Sequence, residues 1–182
     1  MTMFRVGAIN TPSSRELCVI RALSSGGMRL KTFTDLATGQ WVSIEFKHGE
    51  AIEGQVTACK GAMADVAFDQ PIDVAAVMAP DPEGPTPRMP RIDIACPATV
   101  REGAKLVRAR IIDISQGGVR VEGDDGLPVR APVVVSIAGL EPEPAVVTWS
   151  SGKLSGLTFN RLLSIGQLVE WLRKQRKNGS AA

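Results

Sequence analysis

The chain repeats itself. Displaced by 91 residues, Ile20-Arg21-Ala22-Leu23-Ser24-Ser25-Gly26-Gly27-Met28-Arg29-Leu30 falls on Ile111-Ile112-Asp113-Ile114-Ser115-Gln116-Gly117-Gly118-Val119-Arg120-Val121. In the same register Val42, Ile44 and Phe46 meet Val133, Val135 and Ile137, and Val56-Thr57 meets Val147-Thr148. Gly61 meets Gly152, and Phe68 meets Phe159. Separated segments that align without a gap identify a tandem of two related units, so whatever one half folds into, the other must be able to approximate.

Between the halves, residues 78–87 are rich in Pro and Gly. Proline fixes φ and removes a donor, so this stretch reads as an extended linker. The expected organisation is a first unit over 1–79, a linker over 80–87 and a second unit over 88–182.

Within the second unit, short runs rich in β-branched residues predict strands at Ile92–Val100, Leu106–Ile114, Val119–Glu122, Val133–Ile137, Ala145–Trp149 and Leu154–Phe159. Turn residues separate them at Glu102-Gly103, Gln116-Gly117-Gly118, Asp124-Asp125-Gly126 and Ser151-Gly152, and Asp124-Asp125-Gly126 reads as a hairpin turn. Many short strands at near-regular spacing predict a small closed barrel, which leaves no exposed sheet edge. One helix is expected at the C-terminus. Ser164 and Gln167 form a capping-box pattern, and Ile165, Leu168, Val169 and Leu172 follow at helical spacing, a face suited to packing over a barrel. Its end, Arg173-Lys174-Gln175-Arg176-Lys177, reads as a solvated basic last turn.

Composition narrows the chemistry. The sequence has a single His, His48, in a turn between strands, so a His-based metal site or nucleophile triad has little to build on. Aromatic residues are 4% of the chain, too sparse for a platform that stacks single-stranded nucleic acid. Three scattered cysteines argue for a reducing compartment rather than a disulfide framework. A net charge of +2 demands no nucleic acid or membrane partner. No apolar run reaches the ~18–20 residues of a membrane helix, and MTMFRVGAIN lacks the pattern of a signal peptide. The expectation is a soluble, cytoplasmic, non-enzymatic chain without metal or cofactor.

One constellation carries recognition chemistry. Asp113-x-Ser115-x-x-Gly118 lies where one strand ends and the next begins, and Arg88 and Arg91 stand just before the first strand of the same unit. The closing strand contains Gly156-Leu157-Thr158-Phe159. These features resemble the PilZ domain family, receptors for the bacterial second messenger cyclic di-GMP. That resemblance implies a six-stranded β-barrel followed by a helix, with an RxxxR loop ahead of the first strand and a (D/N)xSxxG motif on the next strand and its turn. The second motif is complete here. In the first, Arg91 takes the second arginine position, Pro87 occupies the place of the first, and Arg88 follows one residue later.

The implied architecture is mainly β, with two six-stranded PilZ-type barrels in tandem and a C-terminal helix. The implied ligand is cyclic di-GMP, held by Arg88, Arg91, Asp113, Ser115, Gly117 and Gly118. Arg guanidinium forks suit phosphate oxygens or the O6 and N7 acceptors of guanine, and a carboxylate suits the guanine N1–H and N2–H donors. Ala22 replaces Asp113 in the first unit, and no arginine loop is found there, so that unit is expected to serve packing, dimerisation or partner contact. The implied function is a receptor that signals to a protein partner by domain rearrangement, with room for a homodimer. The alternative is a ligand-independent adaptor.

Overall fold

The computed structural model describes residues 2–47, 50–79 and 89–179. His48, Arg88 and the 80–87 linker lie outside the described residues. Two compact units make up the chain, Met1–Pro90 and Arg91–Ala182. The first contains β1 (Thr2–Asn10), β2 (Arg15–Ser24), β3 (Gly27–Thr32), β4 (Trp41–Lys47), β5 (Glu50–Lys60), β6 (Met63–Phe68) and a short helix α1 (Val74–Met78). The second contains β7 (Ile92–Glu102), β8 (Lys105–Ser115), β9 (Gly118–Gly123), β10 (Pro132–Ile137), β11 (Glu143–Ser151), β12 (Leu154–Phe159) and α2 (Ile165–Gly179).

Each unit is a closed antiparallel barrel, with strand order β1-β2-β3-β6-β5-β4 in the first and β7-β8-β9-β12-β11-β10 in the second. Pairing of β1 with β4 and of β7 with β10 closes the rings and removes the free sheet edges. Alternating burial fills both interiors. Ile20, Leu30, Ile44 and Val56 are buried in the first, and their counterparts 91 residues on, Ile111, Val121, Val135 and Val147, are buried in the second. The repeat in sequence is therefore a repeat of core positions.

Irregularities repeat too. The ladders shift register between Ile20 and Ala22 and between Ile111 and Asp113. They shift again between Val56 and Ala58 and between Val147 and Trp149. A bulge changes the parity of every later residue on its strand, so these sites decide which side chains face which neighbours. Helices α1 and α2 begin at matching positions, after the N-cap Asp73 and after Ser164, whose Oγ accepts from Gln167 N at 3.2 Å. In α2, Leu168, Val169, Trp171 and Leu172 are buried, and Trp171 Nε1 donates to Ala138 O at 2.8 Å in the loop after β10.

One turn differs from expectation. Asp124-Asp125-Gly126 does not close a hairpin, because β9 pairs with β8 and β12 and not with β10. It opens the long crossing to β10, which is pinned by buried Leu127, whose N–H donates to Ser155 Oγ at 3.1 Å. The three cysteines are free. Burial pushes the Cys18 thiol up to about 12 and raises Cys96, whereas Cys59 is exposed.

Gly27 and Gly118 start β3 and β9 against the backbone of the neighbouring strand. A β-carbon would lie 2.5 Å from Val66 O at Gly27 and 2.1 Å from Leu157 O at Gly118. Only glycine permits that approach. Gly27→Ala and Gly118→Ala should each cost about 1–3 kcal/mol, the usual scale of an overpacked site. Denaturant melts of the two variants test this, and wild-type stability in either would contradict the close approach.

Candidate functional site

The bulge in β8 at Ile112 sets Asp113 directly opposite Arg120 on β9. Asp113 is 4% exposed, a depth at which a carboxylate needs charged or hydrogen-bonding partners. It has two. Arg91, immediately before β7, donates a short hydrogen bond from Nη1 to Asp113 Oδ1. Arg120 Nε stands 2.8 Å from Oδ2. That second contact is an ion pair at an angle too bent for a hydrogen bond, since Arg120 Nε, itself buried, has no hydrogen-bond partner. Both arginine side chains remain partly exposed, so the cluster has a buried acid and a cationic, solvent-facing rim.

The other residues of the motif build the turn. Ser115 Oγ donates to Gly118 O at 3.3 Å, and Gly117 O accepts from Phe159 N at 2.9 Å. Between them, Gln116 is tied to the segment that enters α2. Leu163 N donates to Gln116 O at 2.9 Å, and Gln116 Nε2 donates to Leu163 O at 2.8 Å. The first unit builds the same turn, with Ser24 Oγ to Gly27 O at 2.9 Å, Phe68 N to Gly26 O at 2.9 Å and Ile72 N to Ser25 O at 2.9 Å. Ser and Gly of the motif thus have an architectural role common to both barrels.

Charge separates the units. In the first, Ala22 lies opposite Arg29, and Arg29 turns instead to Asp65 on β6, with Nε–Oδ1 at 2.6 Å and Nη2–Oδ2 at 3.0 Å. That hydrogen-bonded pair holds the Asp65 carboxyl below its usual range and raises Arg29. The counterpart of Asp65 in the second unit is Gly156, which lies opposite Arg120. The indole of Trp149 covers it, with Nε1 2.0 Å from where a β-carbon at Gly156 would stand. Trp149 is 42% exposed, so a flat aromatic face lies near Arg120 and the ion-pair cluster. An open pocket of about 330 Å³ marks the first-unit counterpart, between Ala22, Ser24, Arg29 and Asp65.

Residues 86–174 match the PilZ domain family. The second unit is a PilZ domain. Its Arg91, Asp113, Ser115, Gly117 and Gly118 are gathered around the β7 entry and the β8–β9 turn. Arg120 and Trp149 join them without having been singled out as ligand residues. No motif spacing flags either one, because the bulges at Ile112 and Thr148 set their neighbours. Among solved structures, the chain is similar to the Borreliella burgdorferi PlzA protein in complex with c-di-GMP, at 10% identity and a TM-score of 0.39 over 91% of this chain and 86% of that one. It is also similar to the Bacillus subtilis inhibitor of motility MotI/DgrA, at 14% identity and 0.39, over 98% and 99%. Escherichia coli YcgR in complex with c-di-GMP follows at 13% identity and 0.37, over 97% and 87%. No curated protein matches the sequence closely enough to count as a relative. Among the described residues, no group of three or more His, Cys, Asp or Glu is placed to hold a metal ion, and no helix is long and apolar enough to cross a membrane.

Because Asp113 pairs with two guanidinium groups, its removal reaches the fold as well as the site. Asp113→Ala should destabilise the ligand-free PilZ domain by about 1–3 kcal/mol, the scale for breaking a charged hydrogen bond. Arg120→Ala should cost less, because Arg91 still holds the carboxylate. Thermal melts without ligand check the order, and an unchanged Asp113→Ala melt would show the cluster to be idle in the fold.

Proposed function

We propose that the PilZ domain, residues 88–182, binds cyclic di-GMP and that the chain acts as a non-enzymatic receptor signalling to a protein partner. The observation that supports this reading most is the buried Asp113 carboxylate held between Arg91 and Arg120, an arrangement the first unit replaces with Ala22 and the Arg29–Asp65 pair.

The proposed binding is an exchange of partners. Cyclic di-GMP offers anionic phosphates and the O6/N7 acceptor edge of guanine to Arg91, and the N1–H and N2–H edge to Asp113. Each group that leaves the Arg91–Asp113 pair meets an equivalent on the ligand, so no buried charge is stranded. Arg120 keeps a guanidinium on Asp113 throughout. Trp149 offers an aromatic face for a base to lie on. Arg88, three residues before Arg91, supplies a second cation for the phosphates. Movement of Arg91, at the entry to β7, links occupancy to the segment that joins the units, which is how binding is proposed to reach a partner.

Isothermal titration of the full chain with cyclic di-GMP tests the reading. Saturable binding is expected, and its absence at ~100 μM, where an affinity near −5 to −6 kcal/mol is still detected, would favour the adaptor alternative. Arg91→Ala should weaken binding roughly ten- to a hundredfold, and more than Arg88→Ala, because Arg91 holds the motif position. Arg91→Lys should bind poorly too, since lysine lacks the planar fork.

All binding is assigned to the second unit. Residues 1–80 hold seven Lys/Arg and eight Asp/Glu, a balance of −1, and residues 81–182 hold fourteen and eleven, a balance of +3. The full chain carrying both Arg91→Ala and Asp113→Ala should therefore show no saturable binding. Residual saturable uptake would assign a site to the first unit.

A further inference from the structure

We propose that the outer face of β7, β8 and β10 is a docking surface for an acidic amphipathic segment of a partner protein. It is built from residues outside the Arg91–Asp113–Arg120 cluster, so it stands or falls separately from cyclic di-GMP binding.

Strand alternation places the face. Val100 and Ile111 point into the barrel and are buried, so Arg101 on β7 and Leu106, Arg108 and Arg110 on β8 point outward. Cross-strand pairing sets Arg101 opposite Leu106, Thr99 opposite Arg108, and Pro97 opposite Arg110. On the other side of β7, Val134 pairs with Arg101 and Ser136 with Thr99. The three arginines are exposed, and Leu106 is 63% exposed.

Arg15, Arg29, Arg91, Arg120 and Arg161 each hold a carboxylate, whereas among the described residues Arg101, Arg108 and Arg110 enter no ion pair. Arg110 does have an acidic cross-strand neighbour, Glu122, but no ion pair joins them. Beside the arginines runs an open groove of about 580 Å³, past Thr99, Arg108 and Ser136 to Ala138-Gly139-Leu140. The loop at its end is braced from behind by Trp171 of α2, through the 2.8 Å bond to Ala138 O. A braced wall means the groove exists before a partner arrives, which lowers the ordering cost of binding.

Complementarity selects the occupant. Three unpaired guanidinium groups ask for carboxylates, and arginine is a residue that dominates interface energetics. Leu106 and the groove ask for an apolar anchor at the same time. A nucleic-acid duplex supplies charge but leaves Leu106 and the groove unfilled. A flat lipid surface cannot enter the groove. The barrel is a closed ring, and although β8 pairs with β9 only from Ala109 onward, what the face presents to a partner is the row of outward side chains. An amphipathic helix with acidic flanks meets all of these demands.

The test uses the full chain and a fluorescein-labelled helical peptide of Glu and Leu, with Leu at i, i+3, i+4 and i+7. Anisotropy should show saturable, salt-sensitive binding. The double variant Arg101→Glu/Arg108→Glu should weaken it by about tenfold or more, with the melting temperature and cyclic di-GMP affinity unchanged. Leu106→Ser is the second variant, read the same way if the first fails to fold, and a scrambled peptide of the same composition should bind less tightly than the patterned one. The proposal is overturned if the peptide does not bind saturably, or if both variants bind it as the wild type does. A mixed-sequence DNA duplex or phosphatidylglycerol vesicles binding more tightly than the peptide would overturn it as well. So would a sedimentation result in which the chain dimerises through this face and the double variant does not.

Discussion

One backbone contact, made once in each unit, anchors the pairing of β3 with β6 and of β9 with β12. The strand that begins at Gly27 or Gly118 lies against the carbonyl of Val66 or Leu157 with no room for a β-carbon. From that contact the turn before the strand is fixed, and with it Ser24 or Ser115, whose hydroxyl closes the turn onto the glycine carbonyl. The turn also accepts the chain leaving β6 or β12, through Gly26 or Gly117 and the residue before it. Close packing, turn geometry and the approach to the following helix are thus one structural unit. Its presence in both barrels explains why Ser-x-x-Gly persists where no acid precedes it.

Much of this was legible in the sequence because burial alternates cleanly. Six strands could be read between Ile92 and Phe159, with ends within two residues of those observed. The Ser164–Gln167 cap marked the start of α2, since capping is local chemistry. The short helix Val74–Met78 was not legible, because five residues carry too little periodicity to announce a helix. Asp124-Asp125-Gly126 misled because the same turn chemistry opens hairpins and crossings alike. Which one forms depends on a pairing partner far away in sequence.

The site was legible only in part, for a physical reason. Asp113 and Arg91 stand out by motif position, but Arg120 stands seven residues beyond Asp113 with nothing in its spacing to pair them. A bulge at Ile112 makes them opposite neighbours, and a bulge is one extra residue that no propensity marks. Trp149 stands at the end of a predicted strand run, with nothing in its spacing to mark what it covers. Its seat over Gly156 follows from the second bulge, at Thr148.

The two barrels solve one electrostatic problem in two ways. Arg29 and Arg120 occupy the same position, each flanked across the ladders by one strand on either side. One flank must supply a carboxylate if the guanidinium is to be paired. In the first unit the acid is Asp65 on β6, both side chains are largely exposed, and the pair satisfies itself through two parallel hydrogen bonds. In the second unit the acid is Asp113 on β8, which is buried and lies within reach of the residue that precedes the first strand. Moving the carboxylate from one flank to the other changes its neighbours from water to Arg91. It also frees the opposite flank for Gly156 and the indole of Trp149. A self-satisfied surface pair gives a ligand little to replace, whereas a buried acid shared between two half-exposed cations can trade one of them for an equivalent donor without losing its charge balance. The two barrels thus present the same arginine to opposite flanks, and they differ in the strand on which a single acid stands.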